Sequence, residues 1–335
     1  MLRRLHTRIV GMGSICGMTP SPPAEVFLKS LPPPSEIDPV KYQRFEREER
    51  ERKHTPRSCL PLVPPEPFYD IQCGAAGHKH VVLMTREGNL ITFGDNRYGQ
   101  TAAPREDQQE FGNEISEKKM STMRASDPDW SPLYIELNGA FTSDQQAVVC
   151  GSNYTIVYQP GGRRAIGFGN NHMGQLGIGH KNQVDSDKGF AEWDPKANWW
   201  GNNKSVIRNI VCGFNHTLVQ LSCGSLFSFG SNTWGELGIG STVSPMEPAR
   251  ISYFEEKGIE IIKVVAGNSF SLFLTREGRV YGCGATNFGQ LPANEFEPVP
   301  VPLTRNFLQD SKNSNGTQLI RIKDIACMGS AAVFL

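Results

Sequence analysis

AGHKHVVLMTREGNLITFGDNRYGQ, residues Ala76–Gln100, aligns without a gap to AGNSFSLFLTREGRVYGCGATNFGQ, residues Ala266–Gln290. Both contain TREG, and both end in an aromatic residue followed by Gly-Gln. CGFNHTLVQLSCGSLFSFGSNTWGE, Cys212–Glu236, aligns with both, again without a gap. A further copy, CGSNYTIVYQPGGRRAIGFGNNHMGQ, Cys150–Gln175, needs one extra residue near its central turn. The first glycine of each unit is Gly77, Gly151, Gly213 and Gly267, and Gly329 opens another unit at the end of the chain. These intervals are far wider than the ~33 residues of a helical solenoid repeat.

Each unit reads as strands. Val81–Met84, Leu218–Leu221 and Ser271–Leu274 are short, apolar and β-compatible. A glycine turn follows, and then a second apolar run: Leu90–Phe93, Leu226–Phe229 and Val280–Cys283. Two such runs joined by a short glycine turn form an antiparallel hairpin. The closing Gly94, Gly169, Gly230 and Gly284 are expected to take backbone angles costly for other residues. The slot holding Tyr98, Met173, Trp234 and Phe288 is expected to pack between neighbouring units.

The last unit stops at Leu335, and its missing half is matched near the other end. IVGMGSICGMTP, Ile9–Pro20, resembles VYGCGATNFGQLP, Val280–Pro292. An N-terminal strand completing the C-terminal blade closes a ring and removes open sheet edges. The expected fold is therefore all-β: a β-propeller of five blades, closed by pairing of the two chain ends.

The repeats resemble those of the regulator of chromosome condensation family. Its units carry a small residue then Gly, a His-Thr-Leu-like strand, and a Gly-x-Asn-x-x-Gly-Gln-Leu-Gly turn. CGFNHTL (Cys212–Leu218), FGNNHMGQLGIG (Phe168–Gly179) and FGSNTWGELGIG (Phe229–Gly240) carry the likeness. It covers most of Ala75–Leu335. The best-known members have seven blades, so the expected count of five departs from the family. Gly99-Gln100-Thr101 and Gln290-Leu291-Pro292 depart from the usual turn ending. The resemblance implies binding of a protein partner, or guanine-nucleotide exchange on a small GTPase as in the family's founding member. A plant photoreceptor of this fold senses light through tryptophans in Gly-Trp-Arg-His-Thr repeats. The stretch here reads Gly213-Phe214-Asn215-His216-Thr217, which lacks the tryptophan.

The expected organisation has residues 1–20 as the closing strand, 21–70 as a Pro-rich and charged arm, and 71–335 as the repeats. Insertions are expected at 101–140 and 181–209. Within the second, Trp193, Trp199 and Trp200 stand among polar residues, and exposed tryptophans in a long loop are candidate partner anchors. The opening MLRRLHTR has three arginines, and no acid precedes Glu25, a composition shared with mitochondrial presequences. That predicts a mitochondrial location, including association with the ribosome or its assembly; a cytoplasmic or nuclear location is the alternative.

Composition narrows the chemistry. Of 335 residues, 38% are apolar and 20% charged, so a folded core is expected. The 34 basic and 34 acidic side chains cancel, leaving RNA contact only to local basic patches. The eight cysteines form no CxxC pair, so neither a zinc knuckle nor a disulfide framework is predicted. No phosphate loop, nucleophile elbow or complete GxGxxG is present. Cys150 and Cys212 share a slot with Ala76 and Ala266, the mark of a small packed position rather than a nucleophile. His216 is expected to make a buried hydrogen bond. The chain thus reads as a non-catalytic scaffold in a multi-subunit assembly, without cofactor, metal or membrane span.

Overall fold

The computed structural model describes residues 71–102, 133–135, 137, 146–182, 184, 190–193, 205–245, 247–286, 291, 296–303, 308–309, 318–319 and 321–335. The expected closing strand Ile9–Pro20 and the arm at 21–70 lie outside these residues.

Four antiparallel sheets of four strands follow one another along the chain. The first holds β1 (Ile71–Ala76), β2 (His80–Thr85), β3 (Leu90–Gly94) and β4 (Leu133–Ile135), paired in that order. The second holds β5 (Ala147–Cys150), β6 (Tyr154–Tyr158), β7 (Ala165–Gly169) and β8 (Ala191–Glu192). The third holds β9 (Ile207–Cys212), β10 (His216–Leu221), β11 (Leu226–Gly230) and β12 (Ala249–Arg250); a one-turn helix, α1 (Tyr253–Glu256), follows it. The fourth holds β13 (Ile261–Ala266), β14 (Phe270–Thr275), β15 (Val280–Gly284) and β16 (Glu297–Pro302). A small hairpin, β17 (Leu308–Gln309) with β18 (Gln318–Leu319), precedes a last pair, β19 (Ile325–Met328) and β20 (Ala331–Phe334).

The first strands β1, β5, β9, β13 and β19 neighbour one another in chain order, so the sheets radiate from a common axis as blades. Second strands lie between flanking strands and between neighbouring blades. Every residue of β2, β6, β10 and β14 is buried. Burial on both faces explains why these strands read as near-continuous apolar runs rather than alternating ones.

The hairpins predicted from the glycine turns are present as β2–β3, β6–β7, β10–β11 and β14–β15. The first and fourth strands were not foreseen. The segments expected as insertions contribute blade structure: β4 falls within 101–140, and β8 with the beginning of β9 falls within 181–209. Outer strands of two or three residues carry too short a pattern to be read from sequence. β16 is longer, and its Pro298, Pro300 and Pro302 suit an edge position, where a missing donor costs nothing.

Gly230 shows why each second hairpin strand ends on glycine. Its φ is +106°, and a Cβ there would lie 2.4 Å from the carbonyl oxygen of Asn215. The following residue, Ser231, donates its N–H to that same carbonyl at 2.8 Å. The backbone crosses itself too closely for any side chain.

Candidate interaction face and inter-blade contacts

Antiparallel topology sorts the connections into two ends. One end carries the tight turns of the central hairpins; the other carries the glycine-rich loops entering the second strand and leaving the third. At this loop end, backbone hydrogen bonds link successive blades. His78 N–H donates to Ser152 O, Ser152 N–H to Phe214 O, Phe214 N–H to Gly267 O and Asn268 N–H to Gly329 O, at 2.8–3.2 Å.

Beneath this rim runs a buried side-chain relay. His80 Nε2 lies 3.0 Å from Thr155 Oγ1 of the next blade, and Thr155 donates back to Gln100 O of the first blade at 2.9 Å. Tyr154 OH donates to His216 O at 2.6 Å, and Thr217 Oγ1 donates to Gln175 O at 2.8 Å. His216 Nε2 lies 3.0 Å from Ser271 Oγ, which donates to Glu236 O at 2.7 Å. Each hydroxyl proton is thus committed to a carbonyl, so Nε2 of both histidines carries the ring proton and donates. Phe270 fills the same slot in the fourth blade; counted from Gly329, the last unit offers Ala332-Val333 there, without a hydroxyl. Desolvation lowers His80 and His216 to a pKa of about 4, keeping both neutral. The buried hydrogen bond expected of His216 is present.

Asparagine side chains shape the loops leaving the third strands. Asn171 Oδ1 accepts from Leu176 N–H, and its Nδ2 donates to His180 O and Asn182 O. Asn232 does the same with Leu237 N–H, Ser241 O and Val243 O. The residue after the pair of large apolar side chain and glycine closes the turn from below: Gln100, Gln175 and Glu236 accept from the N–H of Tyr98, Met173 and Trp234 at 2.8–2.9 Å. With its backbone held inward, the intervening side chain projects outward. Met173 is 42% and Trp234 38% exposed, so the expectation that this slot packs between units is corrected for these two residues. Tyr98 is half-buried, edge-on to His172 of the next blade. Phe288 lies outside the described residues.

Phe214, 38% exposed, lies across the rim from His78, its ring edge-on at 6.1 Å. Val243 is exposed beside the Asn232 loop. Large apolar side chains are therefore displayed at the loop end, where monomeric surfaces seldom gather them. These are the residues that sequence reading missed as site candidates. The signal was present in the repeat slot itself, an aromatic or methionine in a polar turn.

Trp193 is corrected as a partner anchor. It is buried, donates Nε1–H to Leu176 O at 2.8 Å and packs edge-on against Phe229 of the third blade at 5.5 Å. The indole fills the space between blades and finds its hydrogen bond there. Trp199 and Trp200 lie outside the described residues.

Among the described residues no group of three potential ligands could hold a metal ion. No described helix is long and apolar enough to cross a membrane. Cys150 and Cys212 are half-buried, with thiols on Thr155 and Thr217. Desolvation raises both, Cys212 to about 12, which denies them a thiolate at neutral pH.

Four-stranded blades around one axis define a β-propeller-type domain. The family profile described as "Regulator of chromosome condensation (RCC1) repeat" matches residues 223–274, and a second profile of the same description matches 71–100 and 261–290. The matched segments fall in the first, third and fourth blades, which are similar to the repeats of the regulator of chromosome condensation family. Among curated relatives, the ultraviolet-B receptor UVR8 of Arabidopsis thaliana is 32% identical over 47% of this chain and 33% of its own length. The human X-linked retinitis pigmentosa GTPase regulator is 30% identical over 46% of this chain and 14% of its own. Human Protein RCC2 is 26% identical over 65% of this chain and 40% of its own. The chain thus spans less than half the length of each. Among solved structures, human WBSCR16 superposes with a TM-score of 0.58 at 17% identity, covering 82% of this chain and 62% of that one. Yeast RCC1 (Prp20) bound to Kap60 gives 0.55 at 19%, covering 72% and 50%.

Proposed function

We propose that this chain is a non-catalytic scaffold that holds a protein partner against its loop end, within a larger assembly. The observation that carries this reading is the display of Met173, Phe214, Trp234 and Val243 on loops that the buried asparagines and backbone crossings hold rigid. Rigid apolar and aromatic anchors bind at low entropic cost. Affinity purification of the tagged full chain, compared with a Phe214→Ala/Trp234→Ala variant, tests it. A stoichiometric partner should be recovered by the former and lost by the latter. Equal recovery by both moves the interface elsewhere, and recovery of nothing specific removes the scaffold reading.

A second reading is supported by the relatives. One is named a GTPase regulator, and yeast Prp20p, whose structure is similar to this one, has binding properties toward Gsp1p and histones. Guanine-nucleotide exchange on a small GTPase is the corresponding activity. A nucleotide-release assay against candidate GTPases decides it; no acceleration with any of them eliminates it.

The mitochondrial location and the tie to the ribosome rest on the arginine-rich opening. The five-blade ring closed by Ile9–Pro20 rests on the repeat match and on β20, whose Val333 is 54% exposed and which pairs only with β19 among the described strands. One measurement bears on both: the mature N-terminus of the native protein. Cleavage beyond Gly13 supports import and removes the closing strand; an intact Met1 supports closure and argues against a cleaved presequence.

A further inference from the structure

The two ends of the blades carry different chemistry. The loop end presents apolar anchors, and its charged side chains among the described residues show no basic excess: Lys79, Arg97 and Lys181 stand against Asp95, Glu247 and Glu297, with Glu236 buried beneath them. The turn end is the reverse. Among the described residues basic side chains there outnumber the acidic ones, which include Glu87, Glu255, Glu256, Glu260, Glu277 and Asp324, and most of the basic ones are arginines. Of the large apolar side chains exposed among the described residues, only Leu335 falls at this end.

Several hydrogen bonds bring these cations together across blades. Gly161 N–H of the second blade's turn donates to Ile207 O, at the foot of the third. Arg163, in the same turn, donates to Ser205 O. The adjoining Arg208 is the extra residue of a β-bulge between Ile207 and Asn209, and it is exposed. In the fourth blade Arg276 is tied to Glu260, while Arg279 is exposed and has no ion pair among the described residues. Arg321 lies over this turn, donating to Arg276 O, with exposed Lys323 close behind it. Glu260 holds Arg276 in place and also lies in the field of Arg208, whereas Arg279 and Lys323 make no ion pair among the described residues.

We propose that the turn end, from Arg163 through Arg208 and Arg279 to Lys323, binds the phosphate backbone of RNA. Protein interfaces need buried apolar anchors, and among the described residues of this end only Leu335 is a large exposed apolar side chain. A phosphodiester chain needs fixed cations, and guanidinium forks match phosphate oxygens. With no exposed aromatic side chain among the described residues of this end, the contact proposed is to backbone rather than to bases. This proposal does not rest on the loop-end reading.

The test uses the full chain and a fluorescein-labelled single-stranded RNA of about 20 nucleotides, followed by anisotropy across a salt series. The wild type should bind at low salt and weaken steeply as salt rises. An Arg208→Gln/Arg279→Gln/Lys323→Gln variant should bind at least ~10-fold more weakly, its log–log salt slope shallower by about 0.7 for each phosphate left without its cation. Arg279→Gln alone should shift both in the same direction. Trp234→Ala should bind RNA as the wild type does, so failure of the loop-end reading and failure of this one are separable. The proposal is overturned if the wild type does not bind at low salt, or if the triple variant matches it. It is also overturned if polyglutamate displaces the probe as well as unlabelled RNA does, since an acidic protein is then the better occupant.

Discussion

His216 of the third blade donates its Nε2–H to the Ser271 hydroxyl of the fourth at 3.0 Å, and Ser271 in turn donates a hydrogen bond to Glu236 O in the loop of the third. The hydroxyl thereby joins a core ring to a surface loop across the blade boundary. Ser271→Ala removes an acceptor for one buried group and a donor to another. A loss of about 1–3 kcal/mol is expected in urea unfolding. The His216→Phe/Ser271→Ala double variant should lose less than the sum of the singles, because Phe270 shows that an apolar occupant suits this slot. Strict additivity would show that the two residues are not coupled.

The histidines also set a pH dependence. Folding lowers His80 and His216 from the ordinary value near 6.5 to about 4. Between these values the unfolded chain binds protons that the folded chain refuses, so stability rises with pH across the window from about 4 to 6.5. Above it the contribution is flat. The effect is on the order of 3 kcal/mol per histidine. Replacing both by phenylalanine should flatten the melting temperature across that window; an unchanged slope would assign it to other groups.

Trp193 makes a third case. Trp193→Phe keeps much of the packing against Phe229 but leaves Leu176 O without its donor, at a cost of about 1–3 kcal/mol. Trp193→Ala should cost about 3–5 kcal/mol. Neither should alter recovery of a partner while the chain stays folded. A folded Trp193→Phe chain that loses its partner would restore this residue as an anchor.

Glu236→Gln is expected to be nearly silent. Gln100 and Gln175 close the equivalent turns with a side-chain oxygen, and Glu236 accepts from Trp234 N–H and Ser231 Oγ–H in the same manner. The thermal midpoint should move by no more than a few degrees. A larger fall would mean that the charge itself is needed.

The loop end gives the last prediction. Met173→Ala and Trp234→Ala remove exposed side chains and should leave the thermal midpoint close to that of the wild type. Coupled loss of stability and partner would mean that the loops are held by these residues rather than displaying them.

Much of the blade hairpin was legible in the chain. The repeated glycines mark turns whose geometry admits no other residue, and the second strands are buried on both faces, so their apolar runs are long and unmistakable. The first and fourth strands were not legible. First strands mix buried and exposed positions around the axis, and the fourth are mostly two or three residues, too short for any period to register. The tryptophans at 193–200 looked like loop anchors because composition cannot tell an indole that folds back from one that stays out. The space between Leu176 and Phe229 decides that for Trp193, and it exists only once two blades are side by side. The division of the surface followed the same rule. Sequence determined which residues repeat and hence that Tyr98, Met173 and Trp234 share a slot. Only the tertiary structure turned Met173 and Trp234 outward while setting Tyr98 against His172, and only antiparallel topology gathered Arg163, Arg208, Arg279 and Lys323 at the opposite end. Their proximity is a property of where strands begin and end in space, which no local spacing in the chain encodes.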